Sequence, residues 1–257
     1  MAPWTAFPYD DTDYRRSLPA LKKAWARLHA GDAEPWPTDQ AVQQAWTLFH
    51  AGAFQQACEA GLAAGGAGIT CANKAQAIYA NYLEPREQTR LAMFQTVAAR
   101  ARAQAAAEPD NPNAHYWLAY ALGRYSQGIS VAKALAQGLG AQVKQALETT
   151  IRLAPRHADA HIALGTFHAE VIDKVGKLLG RTQGADAATG LKRFEQALQL
   201  NPGSAIARVE YANGLVMLEG EKRLQQAEQL YAEAAACEAA DAMERLDVEM
   251  ARAELAA

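Results

Sequence analysis

Several things are scarce in this 257-residue chain, and each scarcity removes a class of protein. It has three cysteines, Cys58, Cys71 and Cys237. An odd number without CxxC spacing offers neither a disulfide framework nor a cysteine-rich zinc knuckle, and fits a reducing compartment. No uncharged apolar run reaches the ~18 residues of a membrane-spanning helix. The opening residues, Met1 to Asp10, have no positive n-region and no apolar h-region, so no secretory signal is expected. No stretch sustains polar/apolar alternation, so no strands are expected. The net charge of −3 comes from intermixed acids and bases. That balance supplies no basic field for a phosphate backbone and argues against nucleic acid as partner. A soluble, cytoplasmic protein is the expectation.

What is abundant is alanine, the best helix former, within a chain that is 50% hydrophobic. Residues 1–11 hold prolines and aromatics without a helical period. They predict an extended arm that packs Trp4 and Phe7. A helix from a Thr12 cap to about Ala30 is expected next, broken by Gly31-Asp32 and Pro35-Trp36-Pro37. Thr38 is expected to cap a helix reaching His50. Gly52 breaks it, and Phe54 to Gly61 continues as a partner. Gly65-Gly66-Ala67-Gly68 predicts a turn, residues 70–83 a helix stopped by Pro85, and residues 86–108 a longer one.

Three junctions repeat: Glu108-Pro109-Asp110-Asn111-Pro112, Leu153-Ala154-Pro155-Arg156-His157 and Leu200-Asn201-Pro202-Gly203-Ser204. In each, a helix end meets a proline that forbids continuation, and a new helix starts two to three residues later. After Pro155 come His161, Leu164-Gly165 and His168. After Pro109 come His115, Leu118-Ala119 and Leu122. Ala45, Leu48, Gly52, Phe54 and Ala57 mark an earlier repeat. Phe194, Ala197 and Leu200, then Ala227, Tyr231 and Ala234, mark second helices. Over residues 38–237 this pattern resembles the tetratricopeptide repeat. The resemblance implies an all-α, right-handed α-α superhelix, with residues 1–37 as an arm and helix and 238–257 as a capping helix. Residues 112–157 and 158–204 exceed the family's usual unit of about 34 residues. The excess falls at 123–140 and 171–184, between first and second helix, so two repeats are elongated. This layout is similar to the regulator-of-microtubule-dynamics family and to bacterial tetratricopeptide proteins.

No catalytic centre, metal site or cofactor site is read from the residues. His157, His161 and His168 share a helix face and could recruit Glu170 or Asp173 to a metal, but their core-type positions, repeated at His115, favour packing. Gly65, Gly66 and Gly68 lack the strand and the Gly-Lys-Ser/Thr of a phosphate loop. The insert glycines, Gly138, Gly140, Gly176, Gly180 and Gly184, are expected at helix ends and kinks. No Gly-x-Ser-x-Gly elbow occurs. Glu244 and Asp247 read as the solvated face of a helix whose Met243, Leu246 and Met250 pack inward.

The functional expectation is a non-enzymatic scaffold binding a protein or peptide. In the resembled fold the first helices line the concave side. Carried over, that lining comprises Gln43, Trp46, Asn73, Gln76, Asn113, Tyr116, Tyr120, Arg124, Asp159, Thr166, Glu170, Glu210 and Asn213. Tyr116, Tyr120 and Arg124, four residues apart, form one strip suited to a carboxylate or planar group. A second reading places a small-molecule or enzymatic pocket between the inserts, with Lys133, Lys174, Lys177 and Arg181 neutralising an anion. A third has the inserts touch lipid through the short amphipathic run Val171 to Leu179. Homo-oligomerisation through an exposed solenoid end stays open.

Overall fold

The computed structural model describes residues 3–256. Met1 and Ala2 of the expected arm, and Ala257 of the expected cap, lie outside them. Thirteen α-helices and no strand occur among the described residues. They are α1 Leu18–Leu28, α2 Gln40–His50, α3 Phe54–Ala64, α4 Gly68–Tyr82, α5 Glu87–Ala107, α6 Pro112–Gln127, α7 Val131–Ala136, α8 Leu139–Leu153, α9 Ala158–Thr182, α10 Ala187–Leu200, α11 Ala205–Glu219, α12 Leu224–Ala235 and α13 Ala242–Ala256. The chain folds as the all-α tetratricopeptide type, with α2, α4, α6, α9 and α11 as first helices and α3, α5, α8, α10 and α12 as second helices. It divides into two compact units: residues 1–29, 34–130 and 240–243, and residues 30–33, 131–239 and 244–257.

Two helix starts differ from expectation. The helix expected from Thr12 is instead a 3-10 turn, Thr12–Tyr14, followed by α1 from Leu18, with Ser17 at the N-cap position. Pro19 is the reason. Proline fits the first turn of a helix but would clash with the carbonyl four residues earlier, so α1 starts just ahead of it. The cap of α2 is Asp39 rather than Thr38. Its carboxylate accepts from the amides of Ala41 at 2.6 Å and Val42 at 3.3 Å. These are donors that a new helix leaves without intrahelical partners.

The three proline junctions share one construction. Two residues after each proline stands the cap of the next helix. Asn111 accepts from the amides of Asn113 and Ala114, His157 Nδ1 from that of Ala160, and Ser204 Oγ from that of Ala207. Six residues after two of the prolines, a histidine reaches back. His115 Nε2 donates to the Pro109 carbonyl at 2.9 Å, and His161 Nε2 to the Pro155 carbonyl at 3.0 Å. A carbonyl only accepts, so each Nε2 carries the proton. The junction proline ends one helix, and the histidine satisfies its exposed carbonyl.

In the first unit, α2 packs on α3 and α4, α4 on α5 and α6, and α5 on α6. The arm packs as expected. Trp4 stacks on Tyr79 at 4.3 Å, and Phe7 meets Phe54 edge-on. Helices α3 and α4 cross backbone against backbone: a Cβ on Gly61 would lie 2.5 Å from the Gly68 carbonyl oxygen. Trp25, His29, Trp46, Phe49 and His50 pack as one buried aromatic group. The Asp241 carboxylate accepts from His50 Nδ1 at 2.6 Å. His50 Nε2 and His29 Nε2 share a hydrogen bond at 3.2 Å. The segment around Asp241 is thereby tied to α1 and α2.

In the second unit, α9 packs on α8, α10 and α11, and α11 on α10 and α12. The fully buried Phe194 ring sits where α9 and α11 carry Gly165 and Gly214, and stacks on Tyr211. Val248 and Ala251 of α13 pack with Ala205, Val209 and Ala234. Leu246 faces inward as expected, but Asp247 is buried rather than solvated. It precedes Val248, which packs in the core, so the burial of this helix extends beyond its apolar stripe.

We expect Phe194→Ala to destabilise the protein by about 3–5 kcal/mol in chemical denaturation. Gly165→Ala, whose Cβ would lie 2.8 Å from the Phe194 ring, should cost about 1–3 kcal/mol. No cost in either variant would mean that the aromatic ring does not set the spacing of these helices.

Candidate functional site

The first-helix residues of the first unit divide by burial. Trp46 is wholly enclosed, with the Lys74 ammonium 5.7 Å from its ring centre. Asn73, also enclosed, accepts from Arg100 Nε at 2.6 Å and donates to Gln104 Oε1 at 3.2 Å. Gln76 accepts from Arg100 Nη2 at 3.0 Å and donates to the Met93 carbonyl. These two side chains join α4 to α5, because the guanidinium of Arg100 is half-buried and needs acceptors there. Asn113 donates to Glu34 Oε2 at 2.5 Å. Tyr116 is buried against Trp117. Gln43 is half-buried and donates to the Pro37 carbonyl.

Tyr120 and Arg124, one turn apart on α6, are each partly exposed, as is Gln43. The guanidinium lies over the Tyr120 ring at 5.4 Å, and Nη1 donates to Gln127 Oε1 at 3.2 Å. Tyr120 in turn meets Trp117 edge-on at 5.2 Å. The expected three-residue strip is therefore one anchor, Tyr116, and two outward groups. The ring below holds the plane of the guanidinium, the geometry in which a planar fork recognises a carboxylate or carbonyl.

In the second unit, Thr166 Oγ1 donates to Glu210 Oε2 at 3.1 Å, linking α9 to α11. Asn213 Oδ1 accepts from the Tyr231 hydroxyl at 2.6 Å. Glu170 lies 3.8 Å from Lys174. The Asp159 amide donates to the Gly31 carbonyl. Each sits partly exposed on a first helix.

One contact had no signal beyond the aromatic content of the arm. The extended arm is held through its main chain: the Trp4 amide donates to Gln55 Oε1 at 2.9 Å and the Thr5 amide to the Tyr79 hydroxyl at 3.1 Å. That hydroxyl donates onward to Glu84. The Glu84 carboxyl is pulled down to about 2 by its hydrogen bonds and charge pairing with Arg86. A pocket of about 380 Å³ lies between the arm and the α2–α3 turn.

Cys58, Cys71, His161 and His168 are each held by burial or by hydrogen bonds. Burial pushes the Cys58 and Cys71 thiols up, which keeps them protonated and poorly nucleophilic. His161 spends both ring nitrogens, donating to Pro155 and accepting from Arg193 at 3.3 Å. His168 Nδ1 accepts from the Asp186 amide, closing the second insert. Gly138, Gly176 and Gly184 stand at positive φ at a helix start, inside α9 and after it, as their expected role in ends and kinks requires.

A family model described as "Regulator of microtubule dynamics protein 1-3" matches residues 53–255. The crystal structure of a thermophilic TPR protein from Thermus thermophilus is similar to this chain, with a TM-score of 0.58 at 18% identity, and the match covers 83% of this chain and 97% of that one. No curated protein matches the chain.

Burial holds the His168 imidazole down at about 4, with the Lys144 and Arg193 charges adding to the effect and Asp186 and Glu148 opposing it. Burial lowers His161 as well. Unfolded, both titrate near 6.5, so the unfolded chain takes up their protons first. Stability should be full above about pH 6.5 and fall as pH drops towards 4, by on the order of 3 kcal/mol for His168. His168→Asn, which keeps an acceptor for the Asp186 amide, should flatten that slope in pH-resolved denaturation.

Proposed function

The chain belongs to the regulator of microtubule dynamics protein 1-3 family, and from that membership and the geometry of its helices we propose that it is a non-enzymatic scaffold binding a protein partner through its first-helix surface. The observation that carries this reading is the Tyr120–Arg124 pair. It is a partly exposed aromatic–guanidinium stack on the first-helix face of a unit in which Asn73 and Gln76 are buried against Arg100. Tyrosine and arginine are the residues that most often dominate binding energy at interfaces, and an arginine already stacked loses little freedom when it is used. The arm adds support. Its two backbone amides rest on Gln55 and Tyr79, so side chains of this unit are suited to holding an extended segment by its main chain. An extended peptide or a helix bearing a carboxylate is the proposed ligand class.

Gentle affinity purification, with mass spectrometry of proteins and small molecules, should recover a stoichiometric protein partner. Tyr120→Ala and Arg124→Ala should each weaken that partner by about 2 kcal/mol, roughly thirtyfold in Kd. Arg124→Lys should also weaken it, because the charge survives but the planar fork does not. Undiminished binding in all three variants removes this pair from the interface. A recurrent small molecule without a protein partner would instead support a ligand pocket.

A further inference from the structure

The second unit carries a feature that the scaffold reading does not use. Among the described residues, no helix is long and apolar enough to cross a membrane. Yet Leu178 is 82% exposed and Leu179 62% exposed, side by side on one projection. Gly176, at φ 79° and ψ 163°, breaks α9 one residue before Lys177. The chain then folds back, and a Cβ on Gly180 would lie 3.2 Å from the Ile172 side chain. The Ala185 amide returns to the Gly180 carbonyl, and the Asp186 amide is held by His168. The projection is thus a built tip anchored at its base, with two leucines at its end.

Three cations flank those leucines in the chain, of which Lys174 also lies 3.8 Å from Glu170. Lys174, Lys177 and Arg181 are all exposed and stand within four residues of Leu178 in the chain. Against these three cations residues 171–184 hold one acid, Asp173, for a net charge of +2 in a chain whose total is −3. The neighbouring insert in this unit also exposes apolar side chains, with Leu135 of α7 at 51%. A chain that is acidic elsewhere has placed a cationic, apolar tip here.

We propose that this tip docks peripherally on an anionic lipid surface, with Leu178 and Leu179 entering the interface and Lys174, Lys177 and Arg181 meeting headgroup phosphates or carboxylates. The shape favours lipid over a protein occupant. Peptide grooves are concave and shelter their apolar residues, whereas these leucines protrude. Lysine and arginine stems can follow them while the charges stay at headgroup level. One short apolar tip anchors weakly, so binding requires the electrostatic part as well.

The test is co-flotation of the full chain with phosphatidylcholine vesicles, with and without phosphatidylserine, at low and raised salt. We expect binding to the anionic vesicles that falls with salt, and little binding to the neutral ones. Leu178→Ser with Leu179→Ser should lower it about tenfold or more. Each of Lys177→Gln and Arg181→Gln should lower it about fivefold. Because these side chains are exposed, circular dichroism and melting should be unchanged, which separates lost docking from lost folding. Absence of binding to anionic vesicles at low salt overturns the proposal. So does equal binding by the leucine variant. If the same residues instead capture polyglutamate while vesicles are ignored, the tip is a protein-docking surface and the lipid assignment is overturned.

Discussion

In both units, helices approach closely at crossings that carry glycine. Gly61 and Gly68 let α3 and α4 meet backbone to backbone, and Gly165 with Gly214 clears the space that Phe194 fills. A Cβ at any of these positions would push a neighbour aside. Packed interiors absorb such changes poorly, because few voids exist to take them up. The wealth of alanine is therefore more than a helix preference. Ala57, Ala72, Ala75 and Ala77 are wholly buried between helices, where their smallness sets the distance at which larger side chains interlock.

Close packing then determines which polar groups remain for function. Once α4 and α5 are in contact, Arg100 cannot reach water with its whole guanidinium, and Asn73 and Gln76 satisfy it. A polar residue on a first helix is spent on stability wherever the neighbouring helix brings it an unsatisfied partner. Tyr120 and Arg124, in the second half of α6, stay partly exposed and stack on each other. The same logic holds for the histidines. Their nitrogens go to junction carbonyls, a guanidinium and an insert amide, and burial keeps His161 and His168 neutral.

The inserts follow a different rule. Ile172 is buried at the base of the second insert while Leu178 and Leu179 are exposed, and the insert glycines at positive φ turn the chain where an L side chain would be strained. Exposed leucines are tolerated there because they obstruct no packing. That freedom makes the inserts a natural place for a second interaction distinct from the first-helix face.

Much of this protein was legible in its residues alone. The prolines at 109, 155 and 202 mark the junctions because proline cannot continue a helix. The Leu-Gly and Phe positions mark the packing partners because only small residues permit the approach. Those constraints are local and short in period, so they survive as pattern. The expectation for Thr12 failed because Pro19 controls that helix start from seven residues downstream. The expectation for Asp247 failed because a charge on an amphipathic helix reads as solvated until the neighbour that covers it is known. Which members of the first-helix face are exposed was settled only in three dimensions. The burial of Asn73 depends on Arg100, 27 residues away, and the setting of His50 depends on Asp241, 191 residues away. Contacts at such separations leave no periodic trace, so the fold class belongs to the sequence and the usable surface belongs to the tertiary structure.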